Sequence, residues 1–320
     1  MISGFMIVKN VIEQGYPFVE AIASALPICD EFLVSDGYSD DGTYEVLQKI
    51  AGLNAKIKVY RYRWPDKKGP SVLGEVTNEV RSRCRFQYIF SVQANEIVHE
   101  ESALFIKALP SMLPEIETFC LPYTQLLNNY KFSEEFRIRF SKNLPRIVAI
   151  ADAWTLGLSK SFVRDKKLRS LANPRRLSNH VSNGIWYVYA NLCRGPFSRA
   201  MYLPKPIFRY WSLFPKNFLE KYQRHMELSL FPKNFLEKYQ RPREESLLTL
   251  QSHVDDPEVF WRLCSKILSE ARFKQHIPYP EDFSFVDRKD HPAVIREFIS
   301  NPHADHYYVR EELFERLMKL

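Results

Sequence analysis

Four short stretches of this 320-residue chain hold residue types able to do chemistry. Lys9–Asn10 closes the apolar run SGFMIV. Asp36, Asp40 and Asp41 sit in SDGYSDDGT. Gln93, Asn95 and Glu96 sit in VQANEIVHEES. Arg209 sits in PIFRYWSLF. Carboxylates can hold cations or take protons, and basic side chains bind phosphate oxygens, Arg in a bidentate fork. A lone His such as His99 or His180 reads as structural, since neither has metal-ligand spacing.

These residues must be positioned by the elements around them. Ser3–Val8, Glu31–Ser35, Ile57–Tyr62 and Tyr88–Val92 read as short buried strands. Between them, helical spacing runs through Phe18, Ile22 and Leu26, then Thr43, Val46, Leu47 and Ile50, then Leu73, Val76, Val80 and Cys84. Asp40 or Asp41 is expected to cap the second helix. Strands alternating with helices predict an α/β fold with a parallel sheet covered on both faces. Ligands of such sheets bind outside the carboxyl ends of the strands. Lys9–Asn10, Asp36 and the stretch from Gln93 to Glu96 all fall there.

Further strands are expected at Phe119–Tyr123, Phe136–Ser141 and Arg146–Ile150. From Leu203 the pattern reads as helical, broken by prolines, with late amphipathic helices around Phe298 and Phe314. The expected organisation is a catalytic domain over 1–205 and a mainly helical extension over 206–320. LFPKNFLEKYQR occurs at 213–224 and again at 230–241. It marks a tandem duplication (213–229, 230–246) and predicts two related short helices. A solenoid needs at least three repeats, so this is a local event.

Composition excludes several classes. The hydrophobic fraction of 45% excludes general disorder. No apolar run approaches the ~18 residues of a membrane helix, and Lys9 follows the first apolar run, so no secretory signal is expected. The five cysteines lack CxxC spacing, so unpaired thiols and a cytoplasmic setting are expected. The net charge of +7 comes without an RNP-type aromatic motif, so no nucleic-acid partner is expected. No GxGxxG or GxxxxGKS loop is present either.

SGFMIVKN, SDGYSDDGT and VQANEIVHEES, in this order and spacing, resemble the family 2 glycosyltransferases. The resemblance is clear over residues 1–100, weaker to about 210, and general beyond. It implies the GT-A fold: a Rossmann-like, mostly parallel central sheet flanked by helices. It also implies an inverting, hexosyltransferase-like transfer from a nucleotide-diphosphate sugar to an acceptor hydroxyl, in glycan or cell-surface polysaccharide synthesis. The implied partners are a donor, a UDP-sugar first, and a carbohydrate or lipid-linked acceptor. The setting is then cytoplasmic, including peripheral association with the inner face of the membrane.

The resemblance places Lys9, Asn10, Asp36, Gln93 and Arg209 at the donor, with a solvent-facing Asp36 on the uracil or ribose. Family members usually carry Asp-x-Asp where this chain has Gln93-Ala94-Asn95, and a subgroup has Gln at the first position. Two cofactor readings follow. Either Asn95 and Glu96 hold Mg²⁺ or Mn²⁺ weakly, with the donor phosphates completing the shell, or basic side chains replace the metal. Those available are Arg209, the cluster Arg137, Arg139, Lys142 and Arg146, the cluster Arg164 to Arg169, and Arg175–Arg176. Asp152, before Trp154, is the expected general base, with a pKa raised by burial. It can equally start a turn or pair with Arg146. Glu134, Glu135 and Asp165 are the fallback bases. The alternative function is a non-catalytic domain that binds a nucleotide sugar or glycan and has lost its metal site.

Overall fold

The computed structural model describes residues 1–66, 71–150, 153, 155–159, 198–220, 248–275 and 284–300. The order opens as expected: β1 (Ile2–Val8), α1 (Phe18–Ala25), β2 (Glu31–Asp36), α2 (Thr43–Leu53), β3 (Ile57–Arg61), α3 (Ser71–Ser82) and β4 (Tyr88–Ser91). There follow β5 (Glu96–Val98), α4 (Glu100–Met112), β6 (Thr118–Leu127), β7 (Tyr130–Lys142), β8 (Ile147–Ile150), β9 (Thr155–Leu158), β10 (Ser198–Ala200) and β11 (Ile207–Ser212). Later described residues are mainly helical, with a turn of helix over 215–220, the helices Pro257–Gln275 and Arg296–Ser300, and the short strand β12 (Ser284–Phe285).

The α/β class is the one expected. The main sheet runs β3-β2-β1-β4-β7-β6-β11-β5, with β10 on β6 and β12 on β7. The half that carries the polar motifs, β3-β2-β1-β4, is parallel throughout. β7 then runs antiparallel to both β4 and β6.

Period-two alternation sorts the strands onto two cores. Met6, Phe32, Val34 and Phe90 pack with α1, α2 and α4 on one face. Phe5, Leu33 and Ile89 pack with α3 and the β8–β9 pair on the other. Full burial of each such side chain is worth ~1.5–3 kcal/mol. Both faces are therefore covered, which is why these strands read as unbroken apolar runs. Gly4 sits where a Cβ would lie 2.4 Å from the Phe32 ring and 2.6 Å from Cys29 Sγ. Only glycine lets β1 approach β2 and the end of α1 this closely.

Three expectations are corrected. PIFRYWS is not helical: it forms β11, between β6 and β5 in the sheet and beyond the expected boundary at 205. Its alternation of buried Phe208, Tyr210 and Ser212 with half-buried Arg209 and Trp211 is the strand signal that the flanking prolines obscured. Of the two aspartates expected at the start of α2, Asp40 instead pairs with Asn10, while Asp41 does accept the helix's first N–H, that of Thr43, at 3.0 Å. Cys120 is disulfide-bonded, whereas Cys29, Cys84 and Cys264 are free. Such pairing needs Cα atoms within ~7 Å, which the fold decides and spacing does not. Most of the duplication, and the late helix around Phe314, lie outside the described residues. No described helix is long and apolar enough to cross a membrane.

Candidate functional site

The chain goes β1, β2, β3 in one direction across the sheet, then returns to place β4 on the other side of β1. This reversal opens a crevice at the carboxyl ends of β1 and β4, the usual ligand position in parallel α/β sheets. A cleft of about 220 Å³ occupies it. The ends of β1 and β4 form its floor, and Trp64, Thr77, Ala153 and Arg209 contribute walls. Among the described lining residues there is no Asp or Glu, while Lys9 and Arg209 are cations.

The SDGYSDDGT turn is locked to the loop after β1. Asn10 has φ 49°, a left-handed conformation that Asn tolerates. Its backbone N–H donates to Ser39 Oγ at 2.9 Å, and its amide donates to Asp40 Oδ1 at 2.6 Å. Thr43 Oγ1 accepts from Val11 N at 3.1 Å. Asp41 Oδ2 accepts from Glu13 N at 2.9 Å. The two aspartates therefore tie the two loops together, Asp40 by accepting from the Asn10 side-chain amide and Asp41 by accepting the backbone N–H groups of Glu13 and Thr43.

Asp36 ends β2, as expected, but it does not face solvent. It is 0% exposed. Its carboxylate accepts from Arg61 Nε at 2.8 Å and from Ser39 N at 3.2 Å. The Arg61 guanidinium lies 4.5 Å from the centre of the Tyr38 ring and 4.2 Å from that of Tyr44. The physical reason is the register: Asp36 and Arg61 are direct partners on neighbouring strands, so the nearest cation is protein.

Gln93 and Asn95, between β4 and β5, line the cleft, whereas Glu96, at the start of β5, does not, nor do Asn10 and Asp36. Gln93 Nε2 donates to the carbonyl of Ala153 at 3.2 Å. Asn95 Nδ2 donates to the carbonyl of Tyr210 at 3.0 Å, and the Asn95 carbonyl accepts from Tyr210 N at 2.9 Å. Both amides thus donate a proton that an aspartate does not have. Glu96 is 1% exposed. One of its oxygens accepts from Tyr123 Oη and from Arg139, and the other accepts from Gln93 N at 3.1 Å.

The expected metal ligands therefore do not fit a divalent cation in this arrangement. Both oxygens of the single carboxylate are already engaged, and the amides are turned onto backbone carbonyls. A hard cation wants carboxylate oxygens directed at it. Among the described residues, no group of three or more His, Cys, Asp or Glu is placed to hold a metal.

Arg209, on β11, is half-buried and donates to Gln125 Oε1 at 3.2 Å. Behind it, Arg137 and Arg139 on β7 are fully buried, with their guanidinium carbons 4.8 Å and 5.7 Å from the centre of the Tyr123 ring. Burial lowers the pKa of Arg137. Burial acts the same way on Arg139, but the attraction of Glu96 outweighs it and holds that guanidinium above its ordinary range. Burial, then the Glu96 charge, pushes the Tyr123 hydroxyl up. Arg146 pairs with Glu117.

Ala153 lines the cleft in a left-handed conformation, φ 61°, which is strained for a residue with a Cβ. Its carbonyl accepts from both Gln93 and Arg139. The expected base, Asp152, lies outside the described residues, as do Trp154, Asp165, His180 and the clusters over 164–169 and 175–176. Of the fallback bases, Glu134 pairs with Lys131 at 3.1 Å and Glu135 pairs with Arg137. His99 is structural, as expected: it is buried and its ring accepts from Glu101 N at 3.3 Å, at the start of α4.

Sequence reasoning missed Trp64 and Thr77. Both line the cleft, and Trp64 Nε1 and Thr77 Oγ1 are buried with no hydrogen-bond partner among the described residues. Arg209 Nε shares that condition. Unsatisfied buried donors beside a cavity are where a ligand or water completes the bonding. A single Trp after a strand carries no sequence signal that separates this role from core packing.

No family model matches the chain, and no curated protein matches it. Solved structures superpose loosely. S. aureus TarS is 10% identical, with 99% of this chain and 55% of that chain covered and a TM-score of 0.39. S. aureus TarS 1-349 in complex with UDP is 11% identical, with 89% and 99% covered and a TM-score of 0.40. Glucosyl-3-phosphoglycerate synthase from Mycobacterium tuberculosis, in complex with Mn²⁺, UDP and phosphoglyceric acid, is 19% identical, with 39% and 43% covered and a TM-score of 0.28. The chain spans 34% of one TarS 1-349 structure and 55% of the longer TarS chain.

Proposed function

We propose that this chain is an inverting glycosyltransferase, moving a sugar from a nucleotide-diphosphate sugar to an acceptor hydroxyl. The observation that carries the reading is the cleft at the β1/β4 reversal. It has cations and unsatisfied donors on its walls, and no described carboxylate. Such a lining suits an anionic, oxygen-rich ligand.

In this reading Lys9, Asn10, Asp36, Gln93 and Arg209 form the donor site. Lys9 and Arg209 meet the phosphates. Asn10 and Asp36 act through the loops they hold. Asp152, which precedes the cleft-lining Ala153 in the sequence, is the proposed base. It takes the proton of the acceptor hydroxyl as that oxygen bonds to the anomeric carbon. The bond from that carbon to the diphosphate breaks in the same step, and the nucleoside diphosphate departs with the electron pair. A single displacement inverts the configuration. Cationic stabilisation of the leaving group is the electrostatic part of catalysis. A UDP-sugar is the first donor to try, with a carbohydrate or lipid-linked acceptor. A lipid-linked acceptor would set the reaction at the inner face of a membrane, in glycan or cell-surface polysaccharide synthesis.

The amides of Gln93 and Asn95 favour a second reading, a domain that binds a nucleotide sugar without turning it over. A thermal-shift screen of UDP-, GDP- and dTDP-sugars, followed by donor hydrolysis, separates the two. A donor at ~100 times its Kd adds ~2.7 kcal/mol of stability. The enzyme reading expects one donor to stabilise the protein and be hydrolysed, with Asp152→Asn keeping the shift and losing hydrolysis. Binding without hydrolysis or transfer selects the second reading, and no shift with any donor rejects both.

A further inference from the structure

We propose that the cleft holds its diphosphate without a divalent cation, with Lys9 and Arg209 as the counter-charges and Glu96 as the internal partner of Arg139. The proposal rests on the nucleotide-diphosphate reading above and adds how that ligand is neutralised.

Three observations lead to it. First, the carboxylate nearest the expected metal position is spent. Glu96 accepts from Tyr123, Arg139 and Gln93 N, and it is 1% exposed. Turning it toward a metal would leave Arg139 buried and uncompensated, which is among the costlier changes a core can suffer. Second, the amides at the Asp-x-Asp positions are used as donors, to the carbonyls of Ala153 and Tyr210. Aspartates there would set oxygen against oxygen. The substitutions thus match the surrounding backbone. Third, the charges balance without a metal. Arg139 is matched by Glu96 and Arg137 by Glu135. Lys9 and Arg209 remain as the cations among the described cleft residues. A nucleotide-diphosphate sugar carries two phosphate charges, one for each of these cations. Arg209 also has a buried Nε without an acceptor among the described residues, and Lys9 Nζ rests 5.6 Å from the centre of the Trp64 ring, at the cleft wall.

The test is calorimetric titration of the full chain with UDP, GDP and dTDP, once in EDTA and once in MnCl₂. For the nucleotide that binds, the two Kd values should agree within about threefold. Arg209→Gln should weaken it by ~10–100-fold in EDTA, the loss expected for one charge-assisted contact, and Arg209→Lys should recover part of that. Binding of the bare nucleoside, followed by NMR, should be unchanged in Arg209→Gln. Binding that needs Mn²⁺, or is tightened by it ~10-fold or more, overturns the proposal and leaves the glycosyltransferase reading standing. Unchanged affinity in Arg209→Gln overturns the assignment of that arginine. Failure of every nucleoside diphosphate to bind in both buffers overturns this proposal together with the function it rests on.

Discussion

The Arg139 guanidinium and the Glu96 carboxylate form an ion pair in which each side chain is 1% exposed. They lie 43 residues apart in sequence, and they join the strand β7 to the start of β5, just after the turn that follows β4. Removing one partner of such a pair strands the other charge in a low-dielectric interior. Glu96→Gln is therefore expected to destabilise the fold by ~3–5 kcal/mol, read by urea denaturation. Glu96→Gln combined with Arg139→Met should recover most of that loss. A single variant as stable as the parent would show that the pair is not what holds this turn.

Asn95 gives a prediction of opposite intent. The substitution Asn95→Asp replaces an N–H donor to the Tyr210 carbonyl with an oxygen. The cost expected for an unsatisfied buried acceptor beside a charge is ~1–3 kcal/mol. Added Mn²⁺ should not restore the lost stability, since Glu96 stays committed to Arg139. A variant whose melting temperature rises with Mn²⁺ would contradict the account of this turn.

The parallel half of the sheet was legible because its physics is local. β1, β2 and β4 are buried on both faces, so they appear as uninterrupted apolar runs bounded by turn residues. The position of the cleft followed from chain order alone. What was not legible depends on partners distant in sequence. Asp36 reads as a free carboxylate until Arg61 arrives on the neighbouring strand. Glu96 reads as a metal ligand until Tyr123 and Arg139 take its oxygens. β11 was hidden because Pro204, Pro206 and Pro215 punctuate the segment more loudly than its period-two alternation.

Gly37 lies against the cleft wall. A Cβ there would stand 2.7 Å from Trp64 Nε1 and 3.0 Å from Lys9 Cβ. Gly37→Ala must therefore displace the indole, the lysine or both. Both line the cleft, so the expected result is a loss of nucleotide affinity of ~10-fold or more, with stability changed by ~1–3 kcal/mol as for other overpacked sites. Calorimetry and denaturation on the same sample measure the two. An alanine variant that binds nucleotide as well as the parent would remove Trp64 and Lys9 from the donor site.

His291 ties the C-terminal residues to β11, and it makes stability depend on pH. Its ring is 0% exposed. Nδ1 lies 2.7 Å from Tyr210 Oη, and Nε2 lies 3.3 Å from the Val286 carbonyl. A neutral ring satisfies both, accepting from the tyrosine and donating to the carbonyl. Burial lowers its pKa from 6.5 to about 4, against the smaller opposing pull of the Val286 carbonyl and Asp290. Between those two values the unfolded chain binds a proton that the folded chain does not. Stability is thus fully present above pH ~6.5, falls as pH drops toward ~4, and loses roughly 3 kcal/mol across that window if His291 acts alone. Burial lowers the pKa of His99 as well, which adds to the loss in the same direction. His291→Gln keeps an acceptor for Tyr210 and a donor for Val286 but does not titrate. Its urea midpoint should fall less steeply than the parent's between about pH 7 and about pH 4. Equal slopes in the two proteins would mean that other groups govern the acid limb.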